Sequence, residues 1–155
     1  MSALWRAIVL GRPSVARSAF FPIGAYVQLK GIENPAADYN NRLLHDYALD
    51  IEAAHRLLGR GASQATLIGV RVPAGYAHWV PPGVCYNTIG YYETPNSRLV
   101  YRENGVVRSF GIASMISWRG VWYVVHLGAI LRESEEGIVE TPAEGPGVSE
   151  PSSTC

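Results

Sequence analysis

Ser117-Trp118-Arg119-Gly120-Val121-Trp122-Tyr123-Val124-Val125-His126-Leu127 is the stretch that decides the fold. Arg119-Gly120 reads as a tight turn leading into a strand. Val121, Tyr123, Val125 and Leu127 alternate to one side, and Trp122, Val124 and His126 to the other. Both sides are mainly apolar, which places the strand inside a sheet and not at its edge. Upstream, Asn104-Gly105 is the strongest hairpin signal in the chain and joins a strand over 98–103 to one over 106–117. Two more strands are expected at 66–72, stopped by Pro73, and at 86–93, stopped by Pro95-Asn96, giving about five. These turns set Tyr101 opposite Arg108 and Leu99 opposite Phe110. They also set Ile116 opposite Tyr123, Ser114 opposite Val125 and Ala113 opposite His126. One face then gathers Leu99, Tyr101, Phe110, Ile112, Ile116, Trp118, Tyr123, Val125 and Leu127, and is expected to carry the helix. The other gathers Gly111, Ala113, Met115, Ser117, Trp122, Val124 and His126. A slip of one residue would exchange them.

Before the strands, Asn34 is a good cap and Pro35 a good first helical residue. Leu44, Tyr47, Ile51, Ala54 and Leu58 then recur at helical spacing up to Gly59. The expected fold is α+β: one long N-terminal helix packed on a curved antiparallel sheet of about five strands. The divisions are an arm over 1–33, a single α+β domain over 34–132, and a disordered acidic tail over 133–155. Phe20 to Leu29 is expected to be a short extended segment or a plug on an open side of the core.

A chain of 155 residues with 48% hydrophobic content suits one domain with its own core. Its thirteen basic and thirteen acidic side chains are unevenly placed. Six glutamates and no base lie from Glu133 onward, leaving the body with an excess of six positive charges. Twelve of the bases are arginine and Lys30 is the single lysine. No arginine stripe forms, so nucleic acid is not an expected partner. No apolar run reaches membrane-spanning length, so no membrane partner is expected either. The first twenty residues carry Arg6, Arg12 and Arg17 and no acid, but their apolar patch is too short for a secretory signal. A loosely ordered arm or short helix is expected there. Cys85 and Cys155 make no disulfide framework, although a conditional link between them stays open. The expected compartment is the cytoplasm.

One helix followed by hairpin-linked strands, ending in Gly120-Val121-Trp122-Tyr123-Val124-Val125-His126, resembles the cystatin-like, nuclear transport factor two-like superfold. That superfold includes polyketide-cyclase-like and ketosteroid-isomerase-like proteins. The resemblance covers roughly residues 35–131. The whole chain also resembles small actinobacterial proteins with no assigned activity. Enzymes of the superfold use an inward-facing carboxylate or a His–Asp pair, and those positions have no match here. The usual additional N-terminal helices are thin in this chain, so the resemblance does not imply a deep pocket.

Catalytic candidates are His126, with Tyr101 or Tyr86 assisting. His126 lies on a central strand beside Trp122, where the common outcome is an imidazole bonded to a backbone carbonyl or a tyrosine. Ligand-binding candidates are Tyr76, His78 and Trp79, on a proline-stiffened loop, with Met115 and Trp122 on the sheet. His45, His55, Asp46, Asp50 and Glu52 read as a solvated helix flank. His78 and Cys85 lack the further ligands that a zinc site needs, so no metal and no cofactor are expected. The leading functional expectation is a non-catalytic module binding a small hydrophobic molecule or a protein partner. It would self-associate as a homodimer through the sheet face bearing Trp122 and His126. The alternative is a small cyclase- or isomerase-type enzyme with His126 as acid or base.

Overall fold

In the computed structural model, which describes residues 1–150, both expected turns have the backbone that their sequences call for. Asn104 and Gly105 sit at φ 50° and 81°, and Arg119 and Gly120 at φ 51° and 78°. Positive φ at both central residues matches the right-handed twist of the flanking strands. The strands are β1 (Thr66–Arg71), β2 (His78–Val80), β3 (Tyr91–Glu103), β4 (Val106–Trp118), β5 (Val121–His126) and β6 (Ala143–Glu144). Their order is β1-β3-β4-β5, with β2 paired to β3 and β6 to β4, all antiparallel and without strong curl.

The sheet departs from expectation in two places. Pro95-Asn96 kinks β3 but does not end it. Asn96 takes φ 48°, yet Pro95↔Ser114 and Ser97↔Ile112 keep one register across the kink. Two expected strands are therefore one. The loop expected over 73–85 also contains β2, whose His78, Trp79 and Val80 pair with Glu93, Tyr92 and Tyr91.

The helices differ more. Ser2–Leu10 forms α1, with Leu4, Trp5, Ala7 and Ile8 buried, and Trp5 packs tilted against Tyr101 at 5.3 Å between ring centroids. Phe20 bridges β5 beside Val124, and the Phe21 amide donates to the Val124 carbonyl, before α2 (Ile23–Leu29). The arm is thus part of the core, and the plug expected near Phe20 is mostly helical. The long helix begins where expected, with the Asn34 side chain accepting from the Ala37 amide at 3.0 Å. It is neither N-terminal nor uniform. A short α3 (Pro35–Asp38) passes through a π turn (Tyr39–Leu43) into α4 (Leu44–Leu58). Its buried residues Tyr39, Leu43, Tyr47 and Ile51 are spaced by four. In a regular α-helix each such step drifts by about 40°, and one wider turn takes back much of that drift. Asp50, read as a solvated flank residue, is 1% exposed. His55 closes α1 against α4 through its Nδ1 and the Ile8 carbonyl at 2.9 Å.

The acidic tail also departs from the expected disorder over the described residues. β5 pairs with β4 only along residues 114–118, leaving the rest of that β4 edge open. The tail occupies it: Gly111 donates to the Glu140 carbonyl, Ser109 and Arg108 pair with Ala143 and Glu144, and Gly145 donates to the Val107 carbonyl. Backbone bonds need no apolar period, so a polar, glutamate-rich segment can add to a sheet. The body's positive excess favours the docking. Gly137 crosses α4 so closely that a Cβ there would lie 2.0 Å from the Leu49 carbonyl oxygen. Gly137→Ala should therefore cost about 2 kcal/mol by overpacking. Amide exchange at Ile138 and Gly111 should accelerate with it; unchanged rates would refute the docking.

Candidate functional site

The site is set by one inserted residue. Ile116↔Tyr123 and Met115↔Val124 follow the expected register, but the next pair is Ser114↔His126, and Val125 is extra. Ala113 instead donates to the Leu127 carbonyl. This bulge corrects the expected Ser114–Val125 and Ala113–His126 pairs. It also moves His126 off the face it was expected to share with Trp122 and onto the helix-covered face with Ser114 and Ile116. Bulges re-aim side chains in this way.

On that inner face a polar row crosses four strands. His78 pairs with Glu93, Ser114 Oγ donates to Glu93 Oε1 at 2.7 Å, and Ser114 pairs with His126. Glu93 and Ser114 are 3% and 2% exposed. Above the row lies a chamber of about 80 Å³ with an apolar wall of Phe21, Leu29, Leu43, Ile116 and Val125. It joins an outer cleft of about 870 Å³ edged by Tyr86, Ile130 and Leu131. Lys30, Arg42 and His126 line both. The inner chamber holds a few waters or one small functional group; the cleft has room for the body of a ligand.

Two cations are built into this space. Lys30 ends α2, and its Nζ donates to the Cys85 carbonyl at 2.7 Å. Burial lowers its pKa, and nearby Arg42 adds to that. Arg42 stands on the π turn, with Nε and Nη2 each 2.7 Å from an Asp38 oxygen. Asp38 also accepts from the Tyr26 hydroxyl. That bidentate pair holds the guanidinium rigid and depresses the Asp38 carboxyl. Burial raises the Glu93 pKa, opposed by the Ser114 bond and by His78 and Lys30. His126 is pushed down to about 3, first by burial and then by Arg42, Arg132 and Lys30. Its residual accessibility opens onto the cavity. Among the described residues no side chain or carbonyl hydrogen-bonds its ring, in place of the bonded imidazole expected.

The other candidates scatter. Tyr101 is 2% exposed between Trp5 and Phe110, a core ring outside the chamber. Tyr86 is 77% exposed at the rim of the cleft, on a loop where Cys85 and Tyr86 both take positive φ. His78 reaches the inner face beside Glu93, with Nδ1 2.9 Å from the Tyr76 carbonyl. Tyr76 is half-buried in the preceding turn. Trp79 and Trp122 lie on the outer face, where Trp79 packs edge-on to Tyr92 at 5.2 Å. Met115 is buried and lines neither cavity. The link considered between Cys85 and Cys155 falls on Cys155, which lies outside the described residues. Sequence reasoning missed Lys30, Arg42, Glu93 and Ser114 as site residues. The usable signals were a lone lysine and a glutamate inside an aromatic strand. Among the described residues no group of three His, Cys, Asp or Glu could hold a metal, and no helix is long and apolar enough to cross a membrane. No family model, curated protein or solved structure matches the chain.

Proposed function

We propose that this chain binds a small organic acid with an apolar body, its anionic group directed at Lys30 and Arg42. The observation that carries this is the charge arrangement around His126. Two cations flank a neutral imidazole on a part-apolar chamber, and the acid facing them, Glu93, is one whose ionised form burial disfavours. Asp38 answers Arg42, but among the described residues no carboxylate contacts Lys30, and a ligand carboxylate supplies one. In calorimetry, hexanoate or benzoate should bind more tightly than its amide. Arg42→Gln should weaken the acid roughly tenfold or more, the usual worth of a charge-assisted hydrogen bond, and leave the amide nearly unchanged. Equal affinity for acid and amide would end this reading.

A second reading, a small cyclase- or isomerase-type enzyme, is favoured by Glu93 and His126 lining the same chamber. A buried carboxyl and a neutral imidazole can divide acid and base roles. Turnover retained by His126→Ala, once a substrate is in hand, would dismiss it. Self-association would have to use the outer face alone, where Trp79, Tyr92 and Trp122 are 51%, 54% and 39% exposed. A strict monomer in sedimentation at high concentration would remove that part.

A further inference from the structure

Arginine fills twelve of the chain's thirteen basic positions, and the single lysine, Lys30, lines the cavity. A basic group needed only for charge or for a clasp to the Cys85 carbonyl could be an arginine, as it is everywhere else in the chain. What lysine does and arginine cannot is lose its proton and attack a carbonyl carbon. We propose that Lys30 forms an imine with a small 2-oxo acid or aldehyde acid whose carboxylate is held by Arg42. The proposal rests on the acid-binding reading above and narrows it to a substrate class.

The surroundings suit each part of the step. Burial and the Arg42 charge favour the uncharged amine, the setting in which lysines become nucleophiles. The bond from Nζ to the Cys85 carbonyl at 2.7 Å uses one N–H and leaves the nitrogen lone pair for the substrate. That lone pair attacks the carbonyl carbon, forming a C–N bond as the C=O π pair moves onto oxygen. The resulting carbinolamine takes a proton on its hydroxyl and releases water, while nitrogen gives up its remaining proton to form C=N. One amine and one carbonyl give one imine and one water, with no oxidant or reductant. Glu93, on the same chamber with a pKa raised by burial, is the group placed to give and take those protons.

The test uses the full chain with pyruvate or glyoxylate and cyanoborohydride at pH 7, read by intact mass and peptide mapping. A single lysine makes the assignment clean, since the Met1 amine is the other site to be mapped. Expected is one reduced adduct on Lys30, formed at least roughly tenfold faster than on N-acetyl-lysine amide, through the larger neutral fraction of a desolvated amine. Lys30→Arg should abolish that adduct, and an unchanged melting temperature would show that the loss is not misfolding. Labelling confined to Met1, or Lys30 labelled no faster than the free amine, would overturn the proposal. Where hexanoate binds the wild-type chain but pyruvate is not trapped, the imine falls and acid binding stands. Where neither occurs, both fall.

Discussion

Acidification from pH 7 to pH 4 should cost this fold about 3 kcal/mol through His126 alone. In the unfolded chain its pKa is near 6.5, and in the folded chain about 3. Above pH 6.5 neither state holds the proton. Between 6.5 and 3 the unfolded state binds it and the folded state does not, so stability rises with pH through this window and is lost as pH falls. The full interval would be worth about 5 kcal/mol, of which the part from pH 6.5 down to pH 4 carries about 3. The groups facing the ring from the packed elements make the effect specific. Lys30, Arg42 and Arg132 oppose a further cation, and only Asp38, tied up by Arg42 and Tyr26, favours one. Glu93 works the other way. Its raised pKa contributes stability at low pH that is lost as pH rises through the folded value. Urea titrations at pH 4, 5.5 and 7 on the wild type and His126→Gln measure this. The variant should lose most of the slope between pH 4 and 6.5. A variant with the wild-type slope would show that His126 protonates freely in the folded state.

Asp50→Ala should be comparably damaging at neutral pH. The Asp50 carboxylate, 1% exposed, accepts from the Gly128 amide at 2.8 Å, the Ile138 amide at 2.9 Å and Arg132 Nη2 at 2.7 Å. It ties α4 to the end of β5 and to the returning tail. Its removal leaves two amides unpaired and Arg132, 9% exposed, with no carboxylate nearer than Asp46 at 3.4 Å and a bond from Nη1 to the Glu136 carbonyl at 3.0 Å. Breaking a buried ion pair from one side costs about 3–5 kcal/mol, which here means a melting temperature lower by roughly 10–15 °C. Asp50→Asn keeps one acceptor oxygen and should lose about half as much. A loss under about 1 kcal/mol in Asp50→Ala would mean that water replaces the carboxylate.

What could be read from the chain alone followed local physics. The Asn104-Gly105 turn set Leu99 against Phe110, and the Asn34-Pro35 start and the Leu44 to Leu58 stripe located α4. The α1 face was readable too, since Leu4, Trp5, Ala7 and Ile8 have helical spacing. The bulge was not, because Val124-Val125 offers two equivalent valines and no turn residue to mark the extra one. With it went the correct face for His126. Lys30, Arg42, Glu93 and Ser114 come from four separate elements, and no spacing rule joins them. The tail escaped because it docks by main-chain bonds and by polar anchors such as Arg98 with Thr141, which leave no hydrophobic period.

The tail's seat along β4 has one more consequence. An uncovered margin of that length would be a template for any stray extended chain, including a neighbouring copy. Residues 140–145 fill that margin from within the chain, and Glu140 and Glu144 put negative charge where a second strand would have to add. Where a protease trims this segment, loss of solubility should precede loss of folding.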